Sequence, residues 1–128
     1  MFFDEDEWSW SGRTDPVLHI ELRRVACLLV VAPLSANTMA KFANGLCDNL
    51  LTCVFRAWNK AAVFAPAMNT FMYEHPLTSK QIRVLAEELG VVVLRTLFKK
   101  LMCNEEGLGA MVTVEEIMAT LDEKKLLI

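Results

Sequence analysis

An α/β fold built on a parallel sheet is what this chain predicts, and three observations carry it. Short runs that are apolar at every position, Cys27 to Ala32, Ala62 to Ala65 and Val91 to Leu94, suit strands covered on both faces. Between them lie segments whose apolar residues recur every three or four positions, as in amphipathic helices. Two of the apolar runs close on Ala-Pro and open into a turn of small residues with one Asn: Ala32-Pro33-Leu34-Ser35-Ala36-Asn37-Thr38 and Ala65-Pro66-Ala67-Met68-Asn69. Such turns at the carboxyl ends of parallel strands let backbone amides approach a flat or anionic ligand.

The elements follow in order. Asp15-Pro16 predicts a helix start, with an acceptor at the cap and a proline in the first turn, and Leu18, Leu22, Val25 and Ala26 continue it at helical spacing. The strand Cys27 to Ala32 comes next, and Pro33 is expected to end it. A helix through Asn37 to Ala43 breaks at Gly45, and Asp48 can cap another that bears Leu50, Leu51, Val54, Phe55 and Trp58. After the strand Ala62 to Ala65, Thr78 with Gln81 reads as a capping box for a helix using Ile82, Leu85, Ala86 and Leu89, which Gly90 stops. Val91 to Leu94 is the third strand, and Thr113 with Glu116 opens a terminal helix through Ile117 and Leu121. Alternating strands and helices imply right-handed crossovers. Residues 1–14, acidic with Trp8 and Trp10, read as a poorly packed segment ahead of a single domain over 15–128.

Composition narrows the class. With 128 residues and 54% hydrophobic content the chain can build one real core. The formal charge of −3 and the merely paired basic residues Arg23-Arg24 and Lys99-Lys100 argue against nucleic acid as a partner. No uncharged apolar run approaches the roughly 20 residues that cross a bilayer, and Met1 to Glu7 is acidic where a signal peptide is positive, so a cytoplasmic protein is expected. Cys27, Cys47, Cys53 and Cys103 form no Cys-x-x-Cys pair, and with two histidines no metal is expected. Three of these cysteines sit among apolar neighbours and read as small buried hydrophobes. Cys103, next to Lys99, Lys100 and a Gly-rich turn, reads as a thiol that can be exposed with a mobile proton.

Six segments carry a resemblance. Asp4-Glu5-Asp6-Glu7-Trp8, Val17 to Arg24, Ala32 to Thr38, Gly45 to Thr52, Pro66 to Thr70 and Cys103 to Met111 stand in an order that resembles the flavin-dependent cysteine decarboxylase family, most closely its phosphopantothenoylcysteine decarboxylases of coenzyme A synthesis. The resemblance implies a three-layer, Rossmann- or flavodoxin-like parallel sheet. It also implies FMN as cofactor and 4′-phospho-N-pantothenoylcysteine as substrate. In that family FMN oxidises the substrate thiol to a thioaldehyde, which makes loss of carbon dioxide easy, and the resulting enethiolate is then reduced to 4′-phosphopantetheine. A homotrimer with sites between subunits is implied too, His19 facing a neighbour's Asn69 and Cys103. Some fungal relatives instead serve as phosphatase-inhibiting subunits or unequal members of mixed trimers, which leaves a non-catalytic role as the alternative.

Site residues are carried over position by position. His19 matches the catalytic histidine and suits proton movement near neutral pH; read alone, it is a half-buried residue beside an apolar helix face. Cys103 matches the proton donor to the enethiolate, with a structural cysteine as the alternative. Asn69 and Met72 match substrate-holding positions, against a turn former and core filler, and Arg24 is expected to contact substrate or brace the site. Ser35, Ala36, Asn37, Thr38 and Ala67 match residues lining the flavin; ordinary turn chemistry, with Asn37 or Thr38 as helix cap, is the other view. Gly107 and Gly109 are expected to free a substrate flap, or to form a plain surface turn. In the family, the sequence ahead of the Asp4 to Trp8 segment supplies three strands and the phosphate-holding turn. These N-terminal strands are therefore expected to be missing, with an incomplete cofactor site and a bare, association-prone edge on the strand Cys27 to Ala32.

Overall fold

The computed structural model describes residues 1–9, 17–100 and 106–126. Its centre is a parallel sheet in the order β1-β2-β3, with β1 Leu28–Leu34, β2 Ala61–Pro66 and β3 Val92–Val93. The side chains of β2 alternate between two cores, as a strand covered on both faces must. Ala62 and Phe64 pack with Val31, Leu34, Met39, Phe42, Leu85 and Val91 on one face, while Val63 and Ala65 pack with Val112, Ile117 and Leu121 on the other. The first core comes from α3 (Ala36–Asn44), α4 (Leu50–Arg56) and α6 (Pro76–Arg83) with its continuation, and the second from α7 (Val114–Glu123). The result is the three-layer α/β sandwich. An aromatic triad, Phe42, Phe55 and Phe64, with ring centroids 4.5 to 5.2 Å apart, locks the first layer to the sheet.

Several local expectations are corrected. Pro33 does not end β1; the strand runs on to Leu34, paired with Pro66 after a register shift. An edge strand tolerates this because a missing N–H on its outer side breaks no ladder bond, and β1 is an edge among the described residues. Asp48 does not cap α4. Asn49 does, its Oδ1 accepting from Thr52 N at 2.8 Å while Thr52 Oγ1 accepts from Asn49 N at 3.0 Å. Asp48 instead pairs with Lys41 at 2.8 Å, and that bond holds its carboxyl below the usual range. Thr78 caps nothing: α6 begins at Pro76, a residue preorganised for the first helical position, under a cap in which His75 Nδ1 accepts from Leu77 N at 3.1 Å. A five-residue helix, α5 (Thr70–Glu74), precedes it.

After α6 the backbone takes a π turn, Val84–Glu88, closed by Leu89 N donating to Val84 O. The extra residue per turn rotates the helix face, so Leu85 is fully buried but Ala86 and Leu89 are exposed, contrary to their expected core role. Gly90 ends the segment at φ +70°. An antiparallel pair missing from the sequence reading, β4 (Thr96–Lys100) with β5 (Glu106–Met111), follows β3. Gly107 and Gly109 therefore lie in a strand. Cys27 and Cys47 are exposed, contrary to expectation, and Cys53 is buried.

Two helices are capped from afar by α1 (Asp4–Glu7). Asp4 Oδ1 accepts from Leu50 N at 2.9 Å at the start of α4, and Glu7 Oε2 accepts from His19 N at 3.1 Å at the start of α2 (Leu18–Val25), whose own cap residue Val17 offers no side-chain bond. At the other end of α2, Lys60 Nζ donates to Arg23 O at 2.5 Å and Ala26 O at 2.6 Å. Within the described part of the acidic segment Glu7 is thus buried rather than loosely packed, although Met1, Phe2, Phe3 and Trp8 are exposed. The expected helix start at Asp15-Pro16 falls outside the described residues.

Candidate functional site

Adjacent parallel strands bring the turns after them together. Ala67 N donates to Leu34 O at 2.9 Å, so the turn after β2 is stitched to the end of β1, beside the start of α3. The cap of α3 is Ser35, not Asn37 or Thr38: its hydroxyl accepts from Thr38 N at 3.2 Å and lies 3.2 Å from Thr38 Oγ1. The amides of Ala36 and Asn37, in the first turn, have no acceptor within the helix. The Asn37 side chain is exposed. The structure thereby brings Ser35, Ala36, Asn37, Thr38 and Ala67 to one end of the sheet.

Asn69 and Met72 share that end. Asn69 caps α5, its Oδ1 accepting from Met72 N at 2.9 Å, which leaves its amide nitrogen for another partner. The Met72 side chain is exposed, as is that of Phe71. Behind the turn, Met68 N donates to Gly109 O at 2.9 Å. Gly109 stands at φ +136°, and a Cβ there would run into the carbonyl oxygen of Met68. Only glycine lets β5 lie this close to the turn. Gly107 is similarly pressed, since a Cβ would come 2.6 Å from Thr70 Oγ1.

Thr70 is the residue at this end that the sequence reading missed. It is buried, and its Oγ1 has no hydrogen-bond partner among the described residues. Two helix-start amides and the exposed carboxamide nitrogen of Asn69, amid small side chains, fit a planar ring with hydrogen-bonding edges, as a flavin has. Sequence alone could not flag Thr70, because a threonine after Asn69 looks like any first-turn residue.

A second cluster forms where α1, α2 and α4 meet. Glu7, 2% exposed, receives both the backbone N–H of His19 and its ring Nδ1. Cys53 on α4 completes the group, with donor atoms of the three residues within 4.8 Å of one another. Burial, and then the negative charge of Glu7, push the Cys53 thiol up, so at neutral pH it is an uncharged neighbour rather than a ready metal ligand. Nothing in the Asp4 to Trp8 run betrays that Glu7 belongs to the site, since its partner lies twelve positions on.

Among the described residues no hydrogen bond links His19 to Ser35–Thr38 or to Asn69. Arg24 joins neither cluster: it is exposed and pairs with Glu21 at 3.2 Å. Cys103 lies outside the described residues. A cavity of about 560 Å³ beside Phe42, Trp58, Ala62 and Val91 holds none of the expected site residues. No helix among the described residues is long and apolar enough to cross a membrane.

Comparison with known proteins adds three findings. The Flavoprotein family matches residues 2–126. Phosphopantothenoylcysteine decarboxylase of Mus musculus is 57% identical over 122 residues, covering 93% of this chain and 59% of that protein. A probable phosphopantothenoylcysteine decarboxylase of Arabidopsis thaliana is 53% identical over 123 residues, covering 94% and 61%. The chain thus spans about three fifths of the length of these curated relatives. Among solved structures, a Cys-to-Ser mutant of PPC decarboxylase complexed with pantothenoylaminoethenethiol superposes with a TM-score of 0.94 at 49% identity, covering 98% of this chain and 70% of that one. The FMN binding protein AtHal3 gives 0.87 at 51%, covering 96% and 68%.

Proposed function

Because the chain belongs to the Flavoprotein family, we propose that it serves as a phosphopantothenoylcysteine decarboxylase, a carboxy-lyase that takes 4′-phospho-N-pantothenoylcysteine to 4′-phosphopantetheine and carbon dioxide with FMN. The observation that carries the reading is the sheet end that Ser35–Thr38, Ala67 and Asn69 share, with the turn after β2 stitched to the end of β1. FMN, when bound there, supplies the oxidation of the substrate thiol and its later reversal.

The chain's own residues do the rest. Ser35 fixes the first turn of α3 so that the amides of Ala36 and Asn37 point outward, and the small side chain of Ala67 keeps the floor open. Asn69 offers its amide nitrogen to a substrate carboxylate or carbonyl while its oxygen is held by α5, and Met72 covers the substrate's apolar stretch. His19 accepts the proton that leaves the substrate when its thiol is oxidised. Cys103 returns a proton to the decarboxylated product. That the solved relative carrying pantothenoylaminoethenethiol is a Cys-to-Ser mutant supports a cysteine acting late in the reaction.

His19 and the sheet end belong to different clusters of one chain. This favours an assembly in which a neighbour's His19 and Arg24 reach the site, and the homotrimer implied by the family resemblance, placed in the cytoplasm, would provide it. The test is direct: purify the protein with FMN, record the visible spectrum, and assay carbon dioxide release. A yellow protein that turns over substrate, with Cys103→Ser accumulating an oxidised product, is the expected result. A colourless protein that takes up no FMN overturns the assignment.

A further inference from the structure

The geometry points to Glu7 as the residue that positions His19, an inference that rests on the proton-transfer role proposed for that histidine. Both oxygens of one buried carboxylate are spent on one residue. Oε2 accepts the backbone N–H of His19 at 3.1 Å, which fixes where the first turn of α2 starts, and Oε1 meets ring Nδ1, which fixes the rotation of the imidazole. A carboxylate has lone pairs and no proton to give, so Nδ1 carries the hydrogen. A neutral imidazole has one N–H, and Nε2 is left with its lone pair as the basic atom.

The surroundings leave the two side chains to each other. Glu7 is 2% exposed, and the His19 side chain is 24% exposed, so the carboxylate is shut away while the ring retains an opening to solvent. The group facing the pair from α4 is Cys53, an uncharged thiol. Asp4, the other acid of α1 that reaches a helix start, is exposed and bound to Leu50 N. Among the described residues no lysine or arginine pairs with Glu7, so His19 is its sole partner there. The second histidine of the chain makes the opposite choice. His75 Nδ1 accepts from Leu77 N at 3.1 Å, so a neutral His75 carries its hydrogen on Nε2. Wherever both rings are neutral, the two histidines of the described residues therefore stand in opposite tautomers.

A nitrogen–proton correlation spectrum of the full chain, isotopically labelled at the histidine ring nitrogens, reads both at once. The expected result is one ring protonated at Nδ1 and one at Nε2, with the Nδ1 signal lost in His19→Gln. Glu7→Gln, which can donate as well as accept, should shift His19 toward the Nε2-protonated form and lower kcat about 100-fold, with KM little changed. Glu7→Asp, a shorter acceptor, should recover part of that loss. Two results overturn the inference: His19 sharing the tautomer of His75 in the unaltered protein, or Glu7→Gln keeping both tautomer and kcat. Should Glu7→Gln fail to fold, the spectrum of the unaltered protein decides alone. A protein that binds no FMN yet shows His19 protonated at Nδ1 upholds the pairing and sinks the decarboxylase reading instead.

Discussion

The sheet end and the Glu7–His19–Cys53 cluster solve the problem of building a site in opposite ways. At the sheet end the chain's backbone does the work: Met68 N to Gly109 O and Ala67 N to Leu34 O hold three segments together, with side chains kept small or absent. In the cluster the backbone contributes one N–H, and the arrangement depends on a buried carboxylate. The first kind is rigid because nothing larger fits. The second is held by charge and hydrogen bonding, and is sensitive to a single atom's protonation.

Gly109→Ala should break the contrast most sharply. It places a Cβ against a carbonyl oxygen at a φ that L residues rarely adopt, and a loss of about 3 kcal/mol or more is expected from strain plus crowding, measured by urea unfolding. A loss under about 1 kcal/mol would show that β5 can simply move away. Asn69 offers a finer cut within the same end. Asn69→Ala should cost about 1 kcal/mol as the cap of α5 goes, whereas Asn69→Ser keeps a capping oxygen and should restore the melt but not substrate affinity. Equal KM for the Ser and Asn forms would remove the carboxamide from substrate binding.

The smallest effects belong to the cluster and its thiol. Cys27 and Cys47 should react quickly with a thiol reagent at mildly alkaline pH and Cys53 slowly. Since the Cys53 thiol is raised in the folded state, its contribution to stability is whole below the unfolded-state value and fades as pH climbs through the folded one. The alkaline side of the stability profile should flatten in Cys53→Ala. An unchanged alkaline slope would show that burial and the neighbouring carboxylate do not raise the thiol.

What could be read in the sequence follows the same division. The turns at Ser35–Thr38 and Ala67–Asn69 were legible because strand, proline, small residues and Asn are contiguous, and an all-apolar strand has few other homes. Glu7 was not, because a glutamate in an acidic run announces solvent, and only the fold brings it to a helix start twelve residues on. The β4–β5 pair was hidden by Gly107 and Gly109, which weaken a strand signal although close approach demands them. Leu89 misled for a different reason: one π turn rotates everything beyond it away from the face that 3.6 periodicity assigns.

The helix that carries His19 is gripped at both poles by charges from other parts of the chain, Glu7 at its amino end and Lys60 at its carboxyl end, each matched to the local sign of the helix dipole. The two grips differ in their access to ions, for Lys60 is exposed and Glu7 is not. Added electrolyte therefore weakens the lysine end alone. Amide hydrogens of α2 should then exchange with solvent in a gradient, fastest toward Val25 and slowest beside His19, so that fraying of this helix runs away from the imidazole and not toward it.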